Sequence, residues 1–256
     1  MSDEQAVLTE RRGRVLLITL NRPDARNSVN AALAQGIADA LDELDGDDEL
    51  QAGVITGAGK GFCAGMDLKA FVRGESPYVD GRGFAGITQR AADKPLIAAI
   101  EGFAVAGGLE VALSCDLLVV AREAKLGIPE VKRSLVAAAG ALLRLPRRIP
   151  HHVAMEMALT GDPISAERGY EVGLVNRLAE PGQAVDTAIE LAETIAKNAP
   201  LALAASKRIV REAPDWSSDE MWERQGAISG PVFISEDARE GATAFAEKRD
   251  PVWKGK

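Results

Sequence analysis

Two glutamates in apolar, glycine-containing segments are the residues of this sequence best suited to acid–base chemistry. Glu110 closes the segment 104–110 (AVAGGLE), and Glu130 lies in the segment 127–131 (GIPEV). A carboxyl group that is buried among apolar side chains has its pKa raised towards neutrality, as a general acid or base requires. The two segments therefore predict an enzyme that moves protons.

The glycine pair before Glu110 offers a second catalytic element. Gly107 and Gly108 carry no side chain, so their backbone can approach a ligand closely. At a helix start the first N–H groups are free, and they can hold negative charge that develops on a substrate. Each glutamate also has a purely structural interpretation, Glu110 on a helix surface and Glu130 at a strand end paired with a basic residue that follows it.

Two other glycine-containing segments have structural interpretations. Residues 57–61 (GAGKG) fail the phosphate-loop pattern, because no Ser or Thr follows Lys60 and the required earlier glycine is missing. We interpret them as a turn at a strand exit. Residues 61–68 are typical of a chain reversal that opens a helix, with Asp67 near the helix start. Cys63 has no nearby base in the sequence and is interpreted as a small buried thiol.

Composition excludes several functional classes. The chain has 256 residues, 46% of them hydrophobic, which suits one α/β domain or a domain with an appendage and argues against disorder. The formal net charge of −8 argues against general nucleic-acid binding, because that requires a basic surface. Arg144, Arg147 and Arg148 form the one candidate for a local basic patch that we single out.

Targeting signals and metal-ligand patterns are missing from the sequence. No apolar run approaches the roughly 20 residues that span a bilayer, and the acidic N-terminus does not resemble a signal peptide. We therefore expect a cytoplasmic protein without a membrane partner, in which Cys63 and Cys115 are reduced thiols. The two histidines are the neighbours His151 and His152, so we expect no metal site.

Alternating strand and helix patterns favour an α/β fold with largely parallel strands. Strand patterns cover residues 14–20, 52–56, 95–100 and 116–121, and helical patterns cover residues 30–44, 109–114, 152–159 and 184–197. Beyond residue 197 we find no convincing strand. We therefore predict a core over residues 1–197 and a helical C-terminal region over residues 198–256, which closes over the site or builds an oligomer.

An ordered set of short motifs resembles the crotonase superfamily, specifically its enoyl-CoA hydratases. The motifs extend over nearly the whole chain, and their order carries more specificity than any one of them. They are NRP (21–23), ARN (25–27), FCAGMDL (62–68), AGGLE (106–110), CD (115–116), PEV (129–131), LTG (159–161), GLV (173–175) and FAEKR (245–249).

The resemblance implies a fold, an assembly and a reaction. The fold is a spiral of ββα units with an acyl-CoA pocket, and its C-terminal helices form a homotrimer or a dimer of trimers. The backbone N–H groups of Met66 and Gly107 would bind the thioester oxygen. Glu110 would take a proton from the water that adds to C3 of a 2-enoyl-CoA, and Glu130 would protonate C2. No cofactor is implied, since coenzyme A belongs to the substrate.

The resemblance also implies contacts with coenzyme A from three parts of the chain. A loop and a turn in the N-terminal half would hold the coenzyme, with Arg26 on the phosphates or on the adenine ring. The C-terminal Phe245 and Lys248 resemble residues that touch the coenzyme A of a neighbouring subunit. The implied contact residues are Ala25, Arg26, Asn27, Ala64, Asp67, Phe245 and Lys248.

Departures from the hydratase pattern leave other reactions open. Glu101 stands where the family commonly has Asn, and residues 136–141 (VAAAGA) replace a glycine-rich stretch. An enoyl-CoA isomerase is one alternative, although it needs only one carboxyl group. Residues 129–132 and 143–146 resemble carnitinyl-CoA dehydratases. A non-catalytic acyl-CoA-binding or RNA-binding protein is the alternative from a different class.

Overall fold

The structure, a computed structural model, describes residues 5–256. Its strands are β1 (Val7–Arg12), β2 (Val15–Leu20), β3 (Ala52–Gly57), β4 (Tyr78–Val79), β5 (Gly83–Phe84), β6 (Leu96–Ile100), β7 (Phe103–Val105), β8 (Leu117–Ala121), β9 (Lys125–Gly127), β10 (Ile164–Ser165) and β11 (Arg177–Ala179). Its α-helices are α1 (Ala31–Gly46), α2 (Leu68–Val72), α3 (Gly107–Ala112), α4 (Ala141–Arg148), α5 (His151–Thr160), α6 (Ala166–Glu171), α7 (Ala184–Ala196), α8 (Pro200–Glu212), α9 (Met221–Phe233) and α10 (Glu236–Glu247). Short 3-10 helices cover Pro23–Ala25, Pro129–Arg133 and Ala213–Asp215.

The main sheet has six strands in the order β1-β2-β3-β6-β8-β11. Only the β1–β2 pair is antiparallel, and every other pairing in this sheet is parallel. Successive side chains of a strand point to opposite faces. In β2, Leu16 and Ile18 accordingly pack in the cluster that includes α1, whereas Val15 and Leu17 pack with α7. Burial on both faces explains why these strands are almost uniformly apolar.

A second sheet of three strands, in the order β10-β9-β7, determines where the site lies. Strands β7 and β9 are parallel neighbours, with Val105 opposite Gly127. The carboxyl ends of parallel neighbours lie at the same edge, and β7 leads into α3 while β9 leads into the 3-10 helix Pro129–Arg133. The backbone N–H of Ala106 donates to the carbonyl of Gly127 over 2.9 Å. The segments that carry Glu110 and Glu130 therefore begin side by side.

The C-terminal region is helical, as the sequence predicts, and consists of α8, α9 and α10. No side chain of α8 or α9 is fully buried in the single chain. Lys207 attaches α8 to the core, because its ammonium donates to the carbonyls of Ala92 and Lys94 at 2.8 Å each and pairs with Asp116 at 2.7 Å. The boundary at residue 197 stays a prediction. Across residues 5–256, no helix has the length and apolar character to cross a membrane.

Candidate active site

Glu110 lies on the short helix α3, directly after the glycine pair. The helix follows Ala106, whose φ of 53° turns the chain sharply out of β7. The Glu110 side chain is buried, with the residue only 3% exposed. Its Oε1 accepts a hydrogen bond of 3.1 Å from the backbone N–H of Ala141 at the start of α4. The carboxyl group is thus oriented by backbone from a distant part of the chain.

Glu130 enters the site from the 3-10 helix that follows β9. Pro129 stands in the first turn of this helix, where its fixed φ is favourable, and the helix ends at Ser134 with a φ of 56°. Within residues 5–256, the buried Oε2 of Glu130 has no hydrogen-bond partner. A buried polar atom without a protein partner is rare and marks a position for water or a ligand.

Both glutamates have a pKa above the ordinary value of 4.5. Burial is the largest cause for Glu110, and it is opposed by backbone N–H groups of residues 139–141 and by the charge of Arg144. Burial also dominates for Glu130, and the negative charge of Glu110 raises its pKa further. An ionised Glu110 therefore makes ionisation of Glu130 less favourable.

The pKa of Glu130 predicts a stability effect that depends on pH. A raised pKa in the folded state means that the contribution to stability is fully present below about pH 4.5 and is lost as the pH rises through the folded value. Glu130→Gln cannot ionise, so its free energy of unfolding minus that of wild type is expected to be larger at pH 8 than at pH 4. Urea titrations at the two pH values measure this, with the exposed Glu193→Gln as control. A difference that is the same at both pH values would contradict the prediction.

The backbone N–H groups of Met66 and Gly107 are the two donors predicted to bind the thioester oxygen. Neither Met66 nor Gly107 donates a backbone hydrogen bond within residues 5–256. The neighbouring Gly65 lies so close to α3 that a Cβ on it would be 3.0 Å from the nitrogen of Gly107. The loop that carries Met66 and the start of α3 are therefore in contact, and an oxyanion hole formed by the two N–H groups stays a prediction.

Close approach explains the glycines around this pair of N–H groups. A Cβ on Gly107 would lie 2.6 Å from the ring of Phe84, and a Cβ on Gly108 would overlap the carbonyl oxygen of Cys63. Gly65 has a φ of +94°, which residues with side chains rarely adopt. Cys63 itself is fully buried and its pKa is raised to about 12 by burial, in agreement with a structural thiol.

Comparisons with known proteins show the family of this chain. The family model described as enoyl-CoA hydratase/isomerase matches residues 10–256. This chain belongs to the enoyl-CoA hydratase/isomerase family. This chain is 42% identical to "Enoyl-CoA hydratase EchA19" of Mycobacterium tuberculosis, over 95% of this chain and 94% of that protein. It is 43% identical to "Carnitinyl-CoA dehydratase" of Salmonella enteritidis, over 96% of this chain and 97% of that protein.

Solved structures of the family have the same crotonase fold. A crystal structure of an enoyl-CoA hydratase from M. tuberculosis is 60% identical, covers 99% of this chain and 100% of its own, and superposes with a TM-score of 0.97. A carnitinyl-CoA hydratase from Mycobacterium avium is 47% identical, with 99% and 100% coverage and a TM-score of 0.79. The α/β fold with a helical C-terminal region that the motifs predict is therefore confirmed.

The two N-terminal segments predicted to hold coenzyme A lie side by side in this family member. The backbone N–H of Ala64 donates to the carbonyl of Arg26 over 3.1 Å. Ala25 ends the 3-10 helix Pro23–Ala25, and Arg26 follows it with a φ of 53° and an exposed side chain. The fully buried Asn27 donates to the carbonyls of Ala58 and Gly61 at 2.9 Å each, so its side chain holds the loop in shape.

The Asp67 side chain makes hydrogen bonds and an ion pair within the fold. Its carboxylate caps α2 by accepting from the backbone N–H groups of Lys69 and Ala70 at 3.1 and 3.0 Å, and it pairs with Arg22 at 2.9 Å. Burial alone raises the pKa of Asp67, but the hydrogen bonds from Ala70 and Arg22 outweigh it, and the net shift is downward. Asp67 thereby fixes the turn that presents the Met66 N–H.

The C-terminal pair lies away from these contacts on the surface of the single chain. Phe245 is 86% exposed on α10, and Lys248 ends that helix with a φ of 55°. Within the single chain the structure does not bring either residue to the glutamates. Their role at a neighbouring subunit stays a prediction.

Sequence reasoning missed two contributors to the site, Ala141 and Arg144, and left the role of Glu101 open. The Ala141 N–H orients Glu110, but a backbone donor leaves no mark in residue type. The side chain of Arg144 points inward rather than forming a surface patch, as its bond of 3.3 Å to the Ala139 carbonyl shows. Glu101 accepts from the Ala184 N–H at the start of α7 over 3.0 Å, so this departure from the family pattern is a helix cap. Among residues 5–256, no group of three or more potential ligands is placed to hold a metal ion.

Proposed function

We propose that this protein is an enoyl-CoA hydratase that adds water reversibly across the C2–C3 double bond of a 2-enoyl-CoA, as in fatty-acid β-oxidation. The observation that carries the proposal is the pair of carboxyl groups with raised pKa values, on the buried Glu110 and the half-buried Glu130, together with two backbone N–H groups that have no backbone acceptor within residues 5–256. The product is a 3-hydroxyacyl-CoA, and the reverse reaction is its dehydration.

The N–H groups of Met66 and Gly107 hold the thioester oxygen in the proposed mechanism. As the water oxygen bonds to C3, the π electrons move towards C2 and the thioester oxygen, which gains enolate character. Backbone donors stabilise that charge because they are already oriented and do not titrate. A thioester lacking such stabilisation would have to form an enolate in an apolar surrounding, at high energetic cost.

The two glutamates divide the proton transfers. Glu110, as carboxylate, takes a proton from the attacking water, and the protonated Glu130 delivers its proton to C2. Burial raises the pKa of both carboxyl groups, and the charge of Glu110 raises that of Glu130 further, which favours the protonated Glu130 that this reaction needs. In this proposal both carboxyl groups act on one side of the substrate, so hydrogen and hydroxyl add to the same face of the double bond.

Carnitinyl-CoA dehydration is the second candidate. It is favoured by the relative of that name at 43% identity, and the same pair of glutamates serves it. The structural comparison supports the hydratase more strongly, since the hydratase neighbour has 60% identity and a TM-score of 0.97 against 47% and 0.79 for the carnitinyl-CoA hydratase. An isomerase is less well supported, because shuttling one proton leaves the second buried carboxyl group unused.

Assembly and coenzyme binding belong to the same proposal. We expect a homotrimer or a dimer of trimers, because the C-terminal helices expose large apolar side chains that a neighbouring subunit can cover. These are Trp222, Phe233, Ile234 and Phe245. Ala25, Arg26, Asn27, Ala64 and Asp67 form the coenzyme A loops, and Phe245 and Lys248 contact the coenzyme of the neighbour. No further cofactor is needed, and a cytoplasmic location remains the expectation.

The reaction is tested by following the ultraviolet absorbance of the conjugated enoyl thioester. Rapid loss with crotonyl-CoA, together with formation of 3-hydroxybutyryl-CoA detected by mass spectrometry, is the expected result. Carnitinyl-CoA offered in parallel separates the second candidate, and a 3-enoyl-CoA separates the isomerase. Turnover of carnitinyl-CoA alone would replace the hydratase assignment, and turnover of none of the three would contradict it.

A further inference from the structure

Arg144 is a charged side chain that contacts the same backbone segment as Glu110. It belongs to α4 and is half-buried. Its Nη1 donates to the carbonyl of Ala139 over 3.3 Å, and its Nη2 donates to the carbonyl of Thr88. The guanidinium therefore ties the segment before α4 to the loop that follows β5.

The segment that Arg144 binds, residues 139–141, is also the segment that orients Glu110. The backbone N–H of Ala141 donates to the Glu110 carboxylate over 3.1 Å, and the backbone N–H groups of residues 139 and 140 also lower the pKa of Glu110. Gly140 has a φ of +113°, and a Cβ on it would overlap the Nη1 of Arg144. Glycine at this position is thus what allows the guanidinium to lie against the segment.

We propose that Arg144 is a positioning residue for Glu110: its guanidinium fixes residues 139–141, and their N–H groups hold the carboxylate in the orientation that reaches the attacking water. This inference rests on the proposed function for its catalytic consequence. Its structural part, that Arg144 controls the surroundings of Glu110, can be measured without turnover.

The electrostatic consequence has a defined sign. The charged groups that face Glu110 are Glu130, from the 3-10 helix, and Arg144, from α4, and the positive charge of Arg144 lowers the pKa of Glu110. Arg144 is itself faced by Arg148 and by the Cys115 thiol. Loss of the Arg144 charge is therefore expected to raise the pKa of Glu110 further and to move the acidic limb of the pH–rate profile to higher pH.

The experiment compares Arg144→Met, Arg144→Lys and the control Arg147→Met. Arg147 lies on the same helix but is exposed and pairs with Asp215 over 2.9 Å, so its variant removes one charge without touching residues 139–141. We expect Arg144→Met to lower kcat by about 10- to 100-fold with little change in KM, since small displacements of a catalytic group are costly. Arg144→Lys should keep the acidic limb near its wild-type position but lose part of kcat, and Arg147→Met should behave as wild type.

A titration that does not depend on activity separates this inference from the proposed function. Glutamate labelled with ¹³C at the carboxyl group reports the pKa of Glu110 by NMR, with Glu110→Gln used for assignment. A raised pKa in Arg144→Met supports the inference even if the enzyme hydrates no enoyl-CoA. An unchanged pKa, or a loss of activity in Arg147→Met equal to that in Arg144→Met, would overturn it. If Arg144→Met does not fold, Arg144→Lys still tests the inference: a lower kcat with an unchanged KM supports a positioning role, and an unchanged kcat contradicts it.

Discussion

Replacement of Glu110 or Glu130 with glutamine is expected to lower the turnover of crotonyl-CoA by at least about 100-fold, since positioned acid–base groups typically contribute 10²–10⁴-fold. Glutamine keeps the size and the hydrogen-bonding oxygen of the side chain but neither accepts the proton of water nor gives one to C2. The Ala141 N–H still has an acceptor in Glu110→Gln, so the fold around the site is retained. Initial rates of absorbance loss measure the effect.

Binding separates a catalytic loss from a structural one. Both variants should bind butyryl-CoA, which has no double bond to hydrate, with a Kd close to that of wild type in calorimetry. The exposed Glu123→Gln, in the turn between β8 and β9, controls for the loss of one carboxylate and should keep full turnover. Near-normal turnover in either site variant would mean that the reaction does not use two carboxyl groups, and an isomerase or a different crotonase reaction would then be favoured.

Gly65→Ala is expected to lower kcat by about 10²–10³-fold, the range observed when one donor of an oxyanion hole is removed. The added methyl group would lie 2.9 Å from the Cβ of Ala106 and 3.0 Å from the nitrogen of Gly107. It must therefore push the start of α3 away from the loop that carries Met66, or occupy the space in which we propose that the thioester oxygen binds. Steady-state kinetics with crotonyl-CoA measure the loss.

A matched variant, Gly173→Ala, separates the effect of backbone strain from the effect of the added methyl group on α3. Gly173 also has a positive φ, +83° against +94° for Gly65, but a Cβ there would meet nothing within 4 Å. Gly173→Ala should cost about 1–2 kcal/mol of stability, as left-handed backbone does for residues with a Cβ, and leave kcat unchanged. If both variants lose activity in proportion to their loss in Tm, then the Gly65 effect is one of stability and the oxyanion hole lies elsewhere.

Local patterns in the sequence were sufficient where burial is nearly uniform. The apolar run that forms β2 is enclosed between α1 and α7, and the helical spacing of α1 presents Leu33, Ile37 and Leu41 to the core. Strand β1 went unnoticed, because Val7–Arg12 (VLTERR) is an edge strand of mostly exposed residues held by its pairing with β2. Such an edge strand forms because it pairs with a neighbouring strand, and its own hydrophobic pattern does not predict it.

Asn27 and Arg144 show where residue type gives no guidance. The sequence places Asn27 in a coenzyme A loop, and the structure has its side chain fully buried as a clamp on the carbonyls of Ala58 and Gly61. The sequence groups Arg144 with Arg147 and Arg148, yet only the fold shows that it donates to carbonyls behind Glu110. In both cases the partners are backbone groups distant along the chain, which carry no signature of their own.

The sequence by itself determined that this chain is α/β, that Glu110 and Glu130 are candidate groups for acid–base chemistry, and that a glycine pair frees backbone donors before Glu110. These conclusions follow from residue type and local spacing, which the sequence contains in full. Tertiary structure decided the rest: the parallel pairing of β7 with β9 brings the two glutamates together, and α4 supplies the N–H of Ala141 to Glu110. Proximity, burial and the resulting pKa shifts depend on contacts between distant segments, so they exist only once the chain has folded.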